Sequence, residues 1–233
     1  MQFDAIIVGG GPAGLALASE LSRTRRVLVV EKGTAGTTHR SWFVPLNVVD
    51  DSIRPFSYGG VTRFLASTCT GARAQWQARQ FPRYPYIDET RLLPHWVATV
   101  RANGSEVLDA CEYRAHEVDA DGVNVDTARG RFRGRLMIDC TGYDSPIARQ
   151  YGISRAGYYW WSVMGAIGEH PNGLGGMEVG DYMMWQTFAD TNADAGASLQ
   201  QGRPVFEYEI LDPRTSFSLI LYLRKELMTR EAM

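Results

Sequence analysis

The chain has 233 residues and a formal net charge of −2, and 45% of its residues are hydrophobic. This length allows one large domain or two small ones with a buried core, and a charge near zero gives no sign of nucleic-acid binding. No apolar run reaches about 18 residues, which predicts that no helix spans a membrane. Three widely spaced cysteines and an N-terminus without a basic region predict a cytoplasmic protein.

The first 31 residues have the pattern of a strand–helix–strand unit. Residues 3–8 (FDAIIV) and 27–30 (VLVV) are short apolar runs typical of buried parallel strands. Between them, a glycine-rich turn at residues 9–14 (GGGPAG) precedes residues 15–23 (LALASELSR), which have helical spacing. This order, completed within about thirty residues, predicts a βαβ unit.

The segments that follow this βαβ unit predict further helices and strands, including a second sheet. Residues 32–80 are predicted to be irregular, and residues 88–103 favour a helix that is broken or begins near Pro94. Short strands are predicted at residues 106–108, 113–118, 123–126 and 135–140. An aromatic-rich antiparallel sheet is predicted from strands at residues 158–168, 177–186, 204–211 and 216–223, with a polar loop at residues 187–202.

The glycine-rich turn has the spacing of a dinucleotide-binding site. Gly9 allows a tight turn, Gly11 lets a pyrophosphate approach the backbone, and Gly14 lets the helix pack close to the strand. The amides at the helix start then face the anion. Glu31 ends the second strand, where its carboxylate can accept the ribose hydroxyls of an adenosine and disfavours a 2′-phosphate. A glycine-rich turn without a ligand is the alternative interpretation.

Two motifs resemble those of FAD-dependent oxidoreductases. The first is the N-terminal stretch DAIIVGGGPAGLALASEL followed by VLVVEKG, which is similar to the FAD fingerprint of these flavoproteins. The second is residues 138–142 (IDCTG), which resemble their later D-A-T-G strand, a segment that passes close to the cofactor. The resemblance implies FAD as the cofactor. Because there is no second GxGxxG pattern, no Rossmann-type nicotinamide domain is expected.

Further segments resemble the lycopene cyclase and geranylgeranyl reductase-like group of glutathione-reductase-type flavoproteins. Residues 84–108 are similar to a helix of that group, and residues 160–185 and 203–233 are similar to its later strands. The resemblance implies a Rossmann-type FAD-binding part at residues 1–80 and 84–150, interleaved with an antiparallel-sheet substrate part at residues 151–233 and parts of 40–80. The implied cofactor contacts are Gly9, Gly11, Pro12, Ala13, Gly14, Glu31, Lys32, Arg40, Arg91, Asp139, Thr141 and Gly142.

The sequence departs from lycopene cyclases at their acidic residues. Residues 218–222 (SLILY) and 183–185 (MMW) lack the acids found in the matching stretches, and Asp181 is offset onto the other strand face. An FAD-dependent oxidoreductase acting on a hydrophobic prenyl or aromatic molecule is therefore favoured. A flavin-dependent, non-redox cyclase is one alternative. A further flavoprotein element, G-D-A-A…P…G, has no match, so a flavin-binding fragment that needs a missing C-terminal segment or a partner polypeptide is another.

Other candidate residues are given ordinary structural roles. The four histidines have no metal-ligand spacing, so no metal is predicted. Glu207 and Glu209 are two positions apart on a predicted strand, so they share one face, which is expected to face solvent. The alternative interpretation is that they provide a general acid near a flavin. Aromatic residues between 158 and 208 fit either a substrate chamber or ordinary sheet core. The sequence does not identify catalytic residues, the substrate or the electron donor.

Overall fold

A computed structural model describes residues 2–37, 42–44, 47, 49–68, 73–77, 85–143, 145–153, 162–169, 176–186, 205–211 and 213–222. The chain forms two compact units, each made of two separate stretches. Unit 1 contains Met1–Arg40 and Asp88–Ala156, and unit 2 contains Ser41–Ile87 and Gly157–Met233. The assignment of cofactor binding to one part and substrate binding to the other stays a prediction.

The helices and strands of the two units alternate in blocks along the chain. The first elements are β1 (Gln2–Val8), α1 (Pro12–Leu21), β2 (Val27–Val30), β3 (Trp42–Phe43), β4 (Ser57–Tyr58), β5 (Arg63–Thr68), β6 (Arg73–Gln77), β7 (Tyr86–Ile87) and α2 (Glu89–Ala102). The later elements are β8 (Glu106–Leu108), β9 (Tyr113–Asp119), β10 (Gly122–Thr127), β11 (Gly130–Asp139), α3 (Pro146–Gln150), β12 (Ser162–Glu169), β13 (Asp181–Gln186), β14 (Val205–Ile210) and β15 (Thr215–Tyr222).

Unit 1 is built on a six-stranded sheet with the order β8-β2-β1-β11-β10-β9. The first four strands are parallel, and β9 and β10 continue the sheet as an antiparallel hairpin. All four residues of β2 are buried, as expected for a strand in the middle of a parallel sheet. Helix α1 packs against β2 and α2, while Phe3, Ile6 and Val125 belong to a core cluster that includes the hairpin. The predicted βαβ unit is confirmed.

Helix α2 does not follow the prediction at Pro94. The expectation of a break or a start near Pro94 is wrong, because the helix begins at Glu89 and continues through Pro94 to Ala102. Proline removes one backbone hydrogen bond from a helix. Leu92, Leu93 and Val100 are fully buried on one face of α2, and burial of this apolar stripe outweighs the missing bond.

Unit 2 contains a six-stranded sheet, β12-β15-β14-β13-β5-β6, and a small sheet, β3-β7-β4. Pairing in the larger sheet is antiparallel except between β5 and β13, which are parallel. The expectation that residues 32–80 are irregular is wrong for β5 and β6, which pair with each other. The mixed α/β fold with a parallel sheet and a largely antiparallel sheet is confirmed. Residues 158–161 and the predicted loop at 187–202 lie outside the described residues.

Candidate cofactor-binding site

The glycine-rich turn joins β1 to α1 at the end of the parallel sheet. Gly9 has a φ of 113°, a conformation that residues with a side chain rarely adopt. A Cβ atom at Gly9 would lie 2.3 Å from the carbonyl oxygen of Cys140, just beyond β11. The Gly9 amide donates a hydrogen bond to the carbonyl of Val30, at 2.9 Å. The turn is therefore tied to both strands that flank β1.

Gly11 and Gly14 differ in the space around them. A Cβ atom at Gly14 would lie 1.9 Å from the carbonyl oxygen of Gly9, so the first turn of α1 contacts the glycine turn directly. A Cβ atom at Gly11 would meet no atom within 4 Å. Pro12 follows at the first position of α1, where no helical hydrogen bond is lost. The protein thus leaves open space over Gly11 at a helix N-terminus, which fits a phosphate group.

Glu31 directly follows β2 and braces the glycine turn. Its Oε2 accepts a hydrogen bond from the Gly10 amide at 2.7 Å, and its Oε1 accepts one from the Gly33 amide at 2.9 Å. Because each carboxylate oxygen retains further acceptor capacity, these bonds leave Glu31 able to accept others. The sequence predicts a ribose-binding role for Glu31 but does not indicate that it also holds the turn.

Replacing Glu31 with glutamine is expected to weaken FAD binding about tenfold, because an amide has one acceptor oxygen in place of two. Gly10 or Gly33 then loses its hydrogen bond, so the melting temperature also falls. Thermal unfolding and FAD titration check both effects. Asp109→Asn is the matched control, since both oxygens of the Asp109 carboxylate also have partners, the Ala35 amide at 2.7 Å and the Arg101 guanidinium at 3.5 Å. The control is expected to lose stability without losing FAD affinity, and unchanged affinity in Glu31→Gln would contradict the prediction.

The residues after β11 form a second turn beside Gly9. Oδ1 of Asp139 accepts hydrogen bonds from the Thr141 amide at 2.9 Å and from its hydroxyl at 2.6 Å. The Ser145 hydroxyl donates to Oδ2 of Asp139 and, as an acceptor, caps helix α3 at the Ala148 amide. Asp139 therefore shapes the segment that holds Thr141 and Gly142. Burial, reinforced by the neighbouring charge of Asp139, raises the pKa of the Cys140 thiol.

Of the three basic residues predicted to contact the cofactor, the structure describes Lys32 and Arg91. Lys32 is exposed, and Arg91 is exposed near the start of α2, with its guanidinium 4.0 Å from the Asp88 carboxylate. The Gly36 amide donates to the Gly10 carbonyl at 2.9 Å, which links the glycine turn to the segment after β2. Arg40 lies outside the described residues.

The prediction that two acidic residues of unit 2 are exposed to solvent is wrong. Glu207 and Glu209 were expected to face solvent, but they are 8% and 1% exposed. Both lie on β14, an interior strand of the six-stranded sheet, and the face they occupy is covered. Among the aromatic residues predicted to line a chamber, Trp185 and Phe206 have ring centroids 5.5 Å apart. Tyr158, Tyr159, Trp160, Trp161 and Phe188 lie outside the described residues.

The described residues contain neither a metal-binding cluster nor a helix that could cross a membrane. No three histidine, cysteine, aspartate or glutamate side chains there are grouped so as to hold a metal ion. None of the helices within the described ranges combines the length and the hydrophobicity needed to span a bilayer.

Comparison with known proteins places this site in a family. Residues 6–154 match the profile of the pyridine nucleotide-disulphide oxidoreductases. The chain belongs to this family. The matched residues include every predicted cofactor contact, from Gly9 to Gly142. The prediction of an oxidoreductase family is confirmed, and the match supports FAD as the cofactor. Cys111 and Cys140 are both free thiols.

Two curated proteins resemble this oxidoreductase-family chain. A rifampicin monooxygenase from Streptomyces venezuelae is 31% identical over 171 residues, which cover 67% of this chain and 35% of that protein. A lycopene beta cyclase from Synechococcus elongatus is 25% identical over 173 residues, which cover 73% of this chain and 41% of that protein. The chain thus matches well under half the length of these relatives, and they differ in the reaction they are named for.

Solved structures share the fold at low sequence identity. PqsL from Pseudomonas aeruginosa, a probable FAD-dependent monooxygenase, has a TM-score of 0.72 at 14% identity, covering 97% of this chain and 62% of that one. A geranylgeranyl bacteriochlorophyll reductase-like protein from Thermoplasma acidophilum has a TM-score of 0.68 at 13% identity, covering 99% and 59%. These likenesses confirm the flavoprotein-type fold of this family member.

Proposed function

We propose that this chain binds FAD through unit 1 and functions as an oxidoreductase that acts on a hydrophobic small molecule of prenyl or aromatic type. The observation that carries the proposal is the glycine turn. Gly9 and Gly14 have no room for a side chain, whereas the space over Gly11 is open, and the carboxylate of Glu31 accepts a hydrogen bond from the amide of the adjacent Gly10. This arrangement fits a dinucleotide pyrophosphate and its adjoining ribose.

Each predicted cofactor contact has a proposed role. Gly11, Pro12 and Ala13 present the N-terminus of α1 to the pyrophosphate, and Glu31 accepts hydrogen bonds from the ribose. Asp139, Thr141 and Gly142 position the second turn against the cofactor. Lys32, Arg40 and Arg91 contribute positive charge near the phosphates or the flavin. Bound FAD would supply the transfer of a hydride or an oxygen equivalent, which no protein side chain provides.

The names of the similar proteins support this reaction class. The Streptomyces relative is a rifampicin monooxygenase, and one structure of similar fold is the halogenase PltM in complex with phloroglucinol and FAD. We test the proposal by purifying the folded chain, releasing any bound small molecule with denaturant and weighing it by mass spectrometry. Recovery of FAD supports the proposal. A folded chain that neither retains FAD nor takes it up when supplied contradicts it.

A lycopene cyclase-type reaction is the second candidate. It is favoured by the similarity to the lycopene beta cyclase of Synechococcus elongatus. Cyclisation leaves the mass of the substrate unchanged, whereas an oxidoreductase changes it by the hydrogen or oxygen atoms transferred. Product mass after turnover with a hydrophobic alkene therefore distinguishes the two candidates.

The edge of unit 1 supports a third candidate, in which a further polypeptide takes part. Strand β11 pairs with β1 up to Asp139, but its pairing with β10 ends at Gly134. A cavity of about 850 Å³ lies along residues 135–137 and is lined by Val118 and Leu136, which are 70% and 61% exposed. An open strand edge beside exposed apolar side chains is a surface on which another strand pairs.

The same edge predicts self-association of the purified chain. Leu136→Lys places a charge on the exposed apolar surface and is expected to shift concentrated protein towards the monomer, because edge pairing is suppressed by lysine. Light scattering during size-exclusion chromatography measures the mass. Val179→Lys is the matched control, since Val179 is also exposed but lies in unit 2. Equal masses for both variants and the unaltered chain would contradict the prediction.

A further inference from the structure

The last five residues of β11, residues 135–139, lie at an edge of the sheet in unit 1. Strand β1 pairs with them on one side, as far as Val8 opposite Asp139. Pairing with β10 on the other side ends at Gly134, and no strand among the described residues continues it. We call residues 135–139 the open edge. Its length and sequence decide what kind of strand can pair with it.

The direction of the backbone groups along the open edge follows from one hydrogen bond. The Cys140 amide donates to the Val8 carbonyl of β1 at 2.8 Å, so residue 140 points towards β1. Successive residues of a strand point their backbone groups to alternate sides. Arg135, Met137 and Asp139 therefore point away from β1. A strand that pairs with the open edge must set its own outward-pointing residues opposite these three.

The sequence of the open edge, RLMID, is complementary to itself when a second copy runs in the opposite direction. An antiparallel pair centred on Met137 places Arg135 of one copy opposite Asp139 of the other. The same alignment places Leu136 opposite Ile138, and both are apolar. Opposite charges and apolar side chains that face each other across two strands stabilise their pairing. The outward-pointing residues also meet, as hydrogen-bonded antiparallel pairs require.

Other symmetric alignments of two copies match the open edge less well. An alignment centred on Leu136 sets Arg135 opposite Met137, and one centred on Ile138 sets Asp139 opposite Met137. In both, a charge faces an apolar side chain, and part of the edge is left out of the pairing. Alignments centred between two residues set an outward-pointing residue opposite one that points towards β1, so hydrogen bonds cannot be exchanged. The alignment on Met137 is therefore favoured.

The side chains of the open edge are accessible to a second copy. The Arg135 side chain is 70% exposed, and its guanidinium lies 3.9 Å from the Asp4 carboxylate, beyond hydrogen-bond distance. Asp139 is exposed, and its carboxylate retains acceptor capacity beside its bonds within the second turn. Leu136 is exposed as well, and the cavity of about 850 Å³ runs along the same residues.

We propose that two copies of this chain pair through their open edges, as antiparallel strands related by a two-fold axis at Met137. The proposal rests on the third candidate of the proposed function, in which a further polypeptide pairs with this edge, and it identifies that polypeptide as a second copy. The pairing brings Arg135 of the second copy beside Asp139, the residue that shapes the second cofactor turn.

Charge reversal tests the alignment. Arg135→Asp sets two acids opposite each other and Asp139→Arg sets two guanidinium groups opposite each other, so each variant alone is expected to be monomeric. An equal mixture restores both opposite-charge pairs, and the mass should return to twice that of one chain, as measured by light scattering. Arg131→Asp is the matched control, because Arg131 lies where β11 pairs with β10, and it should dimerise like the unaltered chain. Two folded variants whose mixture stays monomeric would overturn the proposal.

Amide hydrogen exchange of the unaltered chain tests the pairing without any variant. The Arg135 and Met137 amides point outwards, so their exchange should slow about tenfold when about nine in ten chains are paired. The Leu136 amide points towards β1 and should exchange slowly at every concentration. Exchange that does not depend on concentration, a monomeric mass throughout, or a different polypeptide bound at the edge would overturn the proposal. These measurements omit FAD, so their failure is distinguishable from failure of the FAD test.

Discussion

Replacing Gly11 with alanine is expected to leave unit 1 folded and to weaken FAD binding about 100-fold, a cost of about 2.7 kcal/mol. The added Cβ atom meets no protein atom within 4 Å, so the fold has room for it. The same atom occupies the space through which a pyrophosphate reaches the backbone of the turn. Gly14→Ala is different, since its Cβ atom would lie 1.9 Å from the Gly9 carbonyl oxygen and must displace the turn.

Circular dichroism, thermal unfolding and FAD titration of these variants separate binding from folding. Gly11→Ala should keep the melting temperature and lose the cofactor, whereas Gly14→Ala should lose both. Gly168→Ala is the matched control, because Gly168 has open space around it but lies in β12 of unit 2. If Gly11→Ala binds FAD as tightly as the control, the turn does not hold the pyrophosphate.

The second large effect is a dependence of stability on pH. Burial raises the pKa of Glu209 from 4.5 to about 7, with smaller opposing contributions from Tyr86 and Gly60. The folded state therefore holds its proton more tightly than the unfolded state. Its stabilising contribution is complete below pH 4.5 and is lost as the pH rises to about 7. At 1.36 kcal/mol per pKa unit, the free energy of unfolding should fall by about 3 kcal/mol.

Urea unfolding across this pH range measures the effect. Glu209→Gln carries no proton to lose, so the difference between the unaltered chain and this variant isolates Glu209 from other groups. Glu207 contributes in the same direction, because burial also raises its pKa. A Glu209→Gln variant whose stability falls with pH as steeply as that of the unaltered chain would show that Glu209 is not the group responsible.

The parts of the fold that the sequence predicts well are those with local signals. Residues 3–8, 9–14 and 27–30 combine a buried strand, a glycine turn and a second strand within a short stretch, so their arrangement follows from neighbouring residues. Strand β5 could not be predicted in this way. Arg63 pairs with Asp181, 118 positions later. Pairing with β13 stabilises residues 63–68 as a strand, which their own sequence does not indicate.

The buried acids show a different limit of sequence reasoning. The alternation in residues 205–210 (VFEYEI) correctly places Glu207 and Glu209 on one face and Phe206 and Tyr208 on the other. It does not reveal that the face with the two acids is buried, because that depends on Tyr86 of the small sheet. Likewise, the glycine spacing predicts a dinucleotide turn, but the bracing bonds of Glu31 to Gly10 and Gly33 depend on how the turn closes.

Binding of FAD at the glycine turn of unit 1, with Glu31 beside the ribose, underlies the whole proposed function. It is tested most simply by equilibrium titration of the purified, folded chain with FAD. Quenching of the flavin fluorescence measures the binding, and NADPH is added as a competitor. We expect saturable binding of one FAD per chain and no displacement by NADPH, because Glu31 repels the 2′-phosphate. A folded chain that shows no saturable FAD binding would contradict the assignment of this cofactor to unit 1.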